Sequence, residues 1–391
     1  MKKTLAAVAV LGAFAGSALA ADVQLYGIID TGLLYTHFDA DTANVDATDS
    51  FSMESGMASG SRFGFKGTED LGNGLTVGFV LENGFTSDDG AEKGVFFDRE
   101  SSLFLQGGFG KVAFGHMGSI NGGTSSWGKY GMISAFGTSW GKYSAQAGNW
   151  AMGAGMWDNM ISYQTPTFAG FTVYAQYGMG NKVDGKNRDG VAGKYGAENE
   201  SSSDRYYALG ATYANGPLNL YFAVDSINYA STTFTANGIT VRDMDDSLTV
   251  TLGGNFDFEV VKLFAGAQYF DEIKLSNMSG AMQLAPATGT AFADKMEGWS
   301  LGVSASIPAA GGTVLVGAAY LDAEAAGSVT DAKDDELNRW IVSAGYDYPF
   351  SKRTDVYGVV TYNQDQMDSK TAVNDRDPSV YGVMVGLRHK F

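Results

Sequence analysis

The chain has no cysteine, three histidines and six prolines among its 391 residues. Beyond its first twenty residues it also lacks any run of about 20 apolar residues of the kind a transmembrane helix needs. Without cysteine there is no disulfide framework and no thiolate nucleophile or metal ligand. His37, His116 and His389 fall in separate segments, with no nucleophile or orienting carboxylate at a catalytic spacing, which argues against general-base chemistry. Basic residues are scarce too: 26 Lys and Arg face 43 Asp and Glu, a formal charge of −17, which argues against nucleic acid as a partner. A pair of carboxylates for glycoside hydrolysis could be drawn from 43 acids in almost any chain, so none is inferred. The glycines of "GFKGTEDLGNG" resemble a phosphate loop, but no helix follows, and the stretch reads as a turn.

The first twenty residues stand apart. Lys2 and Lys3 precede an apolar run from Leu5 to Phe14, and Ala18-Leu19-Ala20 fits a small-residue cleavage site, so residues 1–20 are expected to be a signal peptide. Without Lys2 and Lys3 the chain from 21 to 391 carries a formal charge of about −19.

What the chain does have is 53 glycines, 20 tyrosines and 24 phenylalanines, a composition of twisted strands and turns. In "WSLGVSASI", Trp299, Leu301, Val303, Ala305 and Ile307 share one face, while Ser300, Gly302, Ser304 and Ser306 share the other. "PLNLYFAVD", "SLTVTLGG" and "VYGVMVGLRHKF" repeat this period of two. Alternation alone also suits a half-buried strand of a sandwich. The connections decide between the two. Seven short links, "DLGNG", "GGFG", "PTFAG", "ANGP", "NFDFE", "PAAGG" and "YPFSK", alternate with long polar ones. Seven hairpins plus a first and a last strand predict an all-β, 16-stranded antiparallel transmembrane barrel with short turns on one rim and long loops on the other. Closure is required because an open edge in hydrocarbon strands unpaired backbone groups. Tyr177, Tyr213, Tyr269, Tyr320, Tyr348 and Tyr362 fall near strand ends, where interfacial aromatic girdles belong.

In order and spacing, "DVQLYGIIDTGLLY", "SRFGFKGTEDLGNGLTVGFVLENGF", "FDRESSLFLQGGFGKVAFG", "NMISYQTPTFAGF" and the terminal "VGLRHKF" resemble the trimeric porins of Gram-negative outer membranes, of the beta-proteobacterial type. The resemblance implies a homotrimer of channels for passive diffusion of ions and small hydrophilic solutes, set among lipopolysaccharide and outer-membrane lipid. It also implies that Phe391 is read by the barrel-assembly machinery. The third external loop, about 118–158, is implied to fold inward and narrow the pore. Matched by position, Arg62, Lys66, Glu82 and Arg99 are the implied lumen charges, with Asp30 as a fifth candidate. For Arg62 and Lys66 parity agrees independently, since Phe63 and Phe65 take the opposite face.

Two departures thin the basic wall: His116 and Met156 stand where the family usually has basic residues. The third loop carries SWGKY twice, which places Trp127, Lys129, Trp140 and Lys142 as candidate pore groups; packing of the rings against the wall is the equal alternative. No cofactor is expected. Acidic groups at Asp243, Asp245 and Asp246 and at Asp334, Asp335 and Glu336 read as solvated loop faces, with weak Ca²⁺ or Mg²⁺ capture as the minor alternative. A barrel acting mainly as an adhesin is the competing function; it would need external insertions longer than these.

Overall fold

The computed structural model describes residues 22–41, 45–137, 150, 155–180, 198–199, 203–230, 235–236, 239–240, 245–274, 295–326, 335–368 and 375–391. The expected signal peptide and the second SWGKY copy, with Trp140 and Lys142, lie outside these residues.

The chain forms a closed antiparallel barrel. Its strands are β1 (Gln24–Asp39), β2 (Thr48–Ser55), β3 (Arg62–Gly72), β4 (Leu75–Gly84), β5 (Glu100–Gly107), β6 (Gly110–Gly118), β7 (Met156–Gln164), β8 (Phe171–Gly178), β9 (Arg205–Asn215) and β10 (Leu218–Asn228). A two-residue pair, β11 (Thr235–Ala236) and β12 (Ile239–Thr240), stands apart in a link. The barrel continues with β13 (Leu248–Asp257), β14 (Lys262–Lys274), β15 (Lys295–Ala309), β16 (Gly312–Ala325), β17 (Glu336–Pro349), β18 (Thr354–Asp368) and β19 (Ser379–Lys390). All seven short links fall at hairpin turns between paired strands. Closure runs through β1 and β19, paired from Ile28↔Lys390 to Asp39↔Ser379, and is finished by two backbone hydrogen bonds between Gly27 and Phe391.

Seventeen strands fill sixteen positions because the second position is split. β1 pairs with β3 over Gln24–Ile28 and with β2 over Thr31–Phe38, and residues 56–61 leave the sheet between them. This interruption departs from the sixteen unbroken strands expected from the sequence.

The alternation sorts the two faces. Leu301, Val303, Val383, Val385 and Leu387 are exposed outward, as hydrocarbon requires, and Ser300, Ser304, Val380 and Met384 are buried on the inner side. Trp299 and Tyr320, and Trp340 and Tyr362, form ring pairs 5.5 and 4.9 Å apart on the outer face near the long-loop end. No described helix is long and apolar enough to cross a membrane; the crossing is made by strands.

On the inner face, Tyr26, Tyr174, Tyr206, Tyr221 and Tyr357 stand directly opposite Gly64, Gly210, Gly178, Gly253 and Gly386. At Gly64 and Gly386 the glycine leaves a gap in the neighbouring strand, and the tyrosine ring lies across it. A Cβ at Gly386 would come within 2.2 Å of the Tyr357 hydroxyl, and one at Gly64 within 2.9 Å of that of Tyr26. These two glycines thus let a phenol reach beyond its immediate neighbour.

Candidate pore constriction

One stretch of the inner wall, built by β1, β3, β4 and β5, borders a cavity of about 830 Å³. Tyr26, Glu54, Arg62, Lys66, Glu82, Asp88, Lys93, Arg99 and Glu100 line it, together with Gly123–Ser126 from the link between β6 and β7. Glu82 is the hub: its carboxylate accepts from Arg99 Nε at 2.7 Å and from the Tyr26 hydroxyl at 3.0 Å, and Arg62 Nε lies 3.5 Å away. Two guanidinium groups therefore share one carboxylate, leaving a positive surplus around Glu82. Lys66 adds to it, its ammonium 5.0 Å from the Tyr26 ring centre. Glu100, which the sequence reading passed over, is buried. It accepts hydrogen bonds from the Ser126 amide and hydroxyl at 2.8 and 3.0 Å, tying the facing link to the wall.

Asp30 differs from expectation. It is 0% exposed, and its carboxylate is consumed by the amides of Ala58 and Ser59, at 2.9 and 2.6 Å, and by the Tyr357 hydroxyl at 2.6 Å. It holds the segment that leaves the sheet instead of presenting charge to the lumen.

The opposite stretch of the inner wall, from β8 to β15, meets the described part of the same link, residues 119–137. Asn121 donates to Asp225 at 2.6 Å, and Tyr221 donates to the Ile120 carbonyl at 3.2 Å and to the Asn121 side chain at 2.6 Å. Further along, Gln268 donates to the Tyr130 hydroxyl at 2.5 Å, Asn255 to the Met132 carbonyl at 2.9 Å, and the Ala135 amide to Ser304 at 2.9 Å. Apolar seats accompany these bonds. Ile133 sits over Gly253 and Gly266, which face each other across β13 and β14, and Ile120 sits over Gly210. Phe136 is buried among Leu34, Met57, Ala58, Ile341, Tyr357 and Met384, on the far side of the barrel.

The first SWGKY copy belongs to this packed segment. Trp127 is 2% exposed, so it does not line the cavity, and Lys111 lies over its ring at 5.1 Å. Lys129 lies over the Tyr174 ring at 5.2 Å. Gly128 has no left-handed backbone; a Cβ there would come within 2.4 Å of the Gly122 carbonyl oxygen, so glycine is needed for a close chain crossing. His116, in the place of a basic residue, contacts Asp158 through Nδ1 at 2.5 Å and the Asp98 carbonyl through Nε2 at 2.9 Å.

Of the acidic loop groups, Asp243 and Asp334 lie outside the described residues, Asp246 accepts from Asn228, and Asp335 is buried instead of solvated. Among the described residues no group of three or more acidic, histidine or cysteine side chains could hold a metal ion.

Comparison with known proteins agrees with this architecture. The family described as Gram-negative porin matches residues 6–368. An outer membrane porin of Bordetella pertussis is 34% identical and outer membrane porin protein 32 of Delftia acidovorans 32% identical, each over the full length of both chains. Among solved structures, an anion-selective porin from Comamonas acidovorans has a TM-score of 0.62 and 26% identity, covering 95% of this chain and all of its own. With its closed sixteen-position barrel, this chain belongs to the Gram-negative porin family, outer-membrane channels through which solutes diffuse passively.

Proposed function

We propose that this porin is a trimeric channel whose narrow zone lies between the Arg62–Arg99 wall and the inward-folded link after β6, and that it passes anions in preference to cations. The observation that carries the reading is the sharing of Glu82 by two arginines. A fixed positive surplus in a confined aqueous gap attracts anions and repels cations, at about 1 kcal/mol per pair of unit charges 4 Å apart in water. Lys66 and Lys93 are offset along the cavity by Glu54 and Asp88, and Glu100 is buried beneath Ser126, so the preference rests on the two arginines around Glu82. The net charge of the chain, −17, does not by itself set selectivity, because fixed charges act most strongly where they border the confined gap. The anion-selective relative from Comamonas acidovorans is consistent with this polarity.

The hydrogen bonds of residues 120–135 to inner-face groups support an inward fold of the link, since the outer faces of those strands carry exposed apolar side chains. Trimerisation fits the apolar outer face of β1 and β2, where Leu25, Ile29, Leu33, Phe51 and Met53 are exposed. The test is a planar bilayer holding the purified protein across a tenfold KCl gradient. A reversal potential of the sign set by chloride supports the proposal, and one of the potassium sign overturns the selectivity while leaving the channel. Gel migration before and after boiling, with crosslinking in mild detergent, tests the trimer.

A further inference from the structure

Among the described strands, β1 is the one whose neighbour is broken in two, and the break lies beside the arginine wall. A break inside hydrocarbon exposes backbone donors and acceptors to a solvent that cannot satisfy them. Here each is met. The Gly56 amide donates to the Asp30 carbonyl at 2.8 Å, and the Ser61 and Ser87 hydroxyls donate to the same oxygen at 3.0 Å each. The Asp30 amide donates to the Ser61 hydroxyl at 3.1 Å, and the Asp30 carboxylate takes the amides of Ala58 and Ser59.

Two further groups hold this segment from across the closing seam. Tyr357 of β18 passes over Gly386 of β19 to reach Asp30 on β1. Arg388 donates to the Ser59 hydroxyl at 2.9 Å while its other nitrogens meet Asp355 at 2.9 Å and Asp347 at 3.1 Å. From its other end the segment meets the charged wall. Arg62 Nη1 donates to the Gly60 carbonyl at 2.9 Å, and a Cβ on Gly60 would lie 3.1 Å from Arg99 Nη1, so the bare glycine backbone forms the floor beneath both guanidinium groups. Met57 and Ala58 are buried with Phe136.

Ser59 borders the cavity of about 830 Å³ and also a second one of about 380 Å³, lined by Ser134–Gly137, Lys262, Phe264 and Arg388. It stands between two successive spaces.

We propose that Gly56–Gly60 is a second constriction element of this pore, and that Asp30, Tyr357 and Arg388 are positioning residues that set ion preference by fixing Gly60 beneath Arg62 and Arg99. The proposal rests on the pore reading above. The two fail differently: a wild-type protein without channels ends that reading, whereas wild-type channels indifferent to the variants below end this one.

The cysteine-free chain makes the test clean, because Ser59→Cys introduces the one reactive thiol. Exposure of open Ser59→Cys channels to a negatively charged methanethiosulfonate should lower single-channel conductance by about half, as a bulky anion at a narrow zone must. The wild-type channel, treated identically, should not respond. In parallel, Tyr357→Phe keeps the ring over Gly386 and removes only the hydroxyl that holds Asp30. Its anion-to-cation permeability ratio should fall by about twofold at low salt, with gel mobility and conductance in concentrated salt close to wild type. Tyr346→Phe, whose hydroxyl meets only the Ala309 and Ala310 carbonyls at a turn, is the control and should leave the ratio unchanged. Thiol modification verified by mass with no change in conductance would overturn the constriction. A wild-type ratio in a folded Tyr357→Phe channel would overturn the positioning role.

Discussion

The two sides of the lumen are built from the same alternating strands and use their polar inward residues in opposite ways. On β3, on β4 and just before β5 the inward groups that border open space are long and charged: Arg62, Lys66 and Arg99 around Glu82. Along β8, β10, β13, β14 and β15 they are Gln176, Tyr221, Asp225, Asn255, Gln268 and Ser304, all buried and bonded to the link that follows β6. The first side keeps its charges near water and available to a passing ion. The second spends its hydrogen bonds on position, and its interleaved glycines make room for apolar side chains. A channel needs both, because a charge selects only where something else narrows the gap.

The largest test of this division is to release the covering link. Ile133 is fully buried on Gly253 and Gly266. Ile133→Asp would place a charge there without a partner, at a cost of several kcal/mol, more than the seat can supply. The barrel closes through β1 and β19 without this seat, so folding and heat-modifiable migration should persist while single-channel conductance rises by about twofold or more. Unaltered conductance in the folded variant would mean that the packed side does not set the width.

The charged side predicts a smaller effect of a different kind. Arg62→Gln combined with Arg99→Gln removes two positive charges and leaves Glu82 with only the Tyr26 hydroxyl among its present side-chain partners. Width should change little. The anion-to-cation permeability ratio should fall by up to about tenfold in dilute salt, equivalent to ~1.4 kcal/mol, and by far less in 1 M salt, where the Debye length is about 3 Å. A reversal potential that does not move at low salt would remove these arginines from the conduction path and with them the contrast between the sides.

Much of the barrel is legible in the sequence because each strand must solve a local problem alone. Outward residues face hydrocarbon, so Leu301, Val303, Val385 and Leu387 had to alternate, and the tight turns needed Gly74, Gly110, Gly170, Gly216 and Gly311 with positive φ. What stayed hidden depends on residues far apart in the chain. "SGMASGS" does not reveal that Ala58 and Ser59 will be held by Asp30, since the partner lies 28 and 29 residues earlier and the group that orients it, Tyr357, lies 327 residues away from it. Asp30 reads as one more lumen charge because a positional match to the family gives the place and not the partner. One signal was available: inward glycines such as Gly64, Gly253 and Gly386 have no purpose on a strand unless something crosses them. Tyrosines of matching parity then become candidates for the crossing group.

The smallest expected effect on conduction concerns the first SWGKY copy, and it decides on which side of the comparison that copy belongs. Trp127 is buried in the cluster that holds Met117, Ile120, Tyr130 and Ile133, and its indole nitrogen has no hydrogen-bond partner. Its contribution is therefore the packing of the ring and the Lys111 ammonium that lies over it. Trp127→Ala would leave a cavity costing about 3 to 5 kcal/mol in a well-packed site. Trp127→Phe keeps most of the ring and forfeits no hydrogen bond, so its cost should be under about 1.5 kcal/mol. Because the ring is covered, neither change should alter conductance at moderate voltage. The Ala variant should instead lose resistance to unfolding by heat or denaturant, with Phe restoring most of it. Sugars and aromatic anions that enter the pore should block wild type and Trp127→Phe alike. If Trp127→Ala were to raise conductance or relieve such block while keeping wild-type resistance to denaturant, the ring would have to face the pore, and the boundary between the recognising and the packed side would have to be redrawn through residue 127.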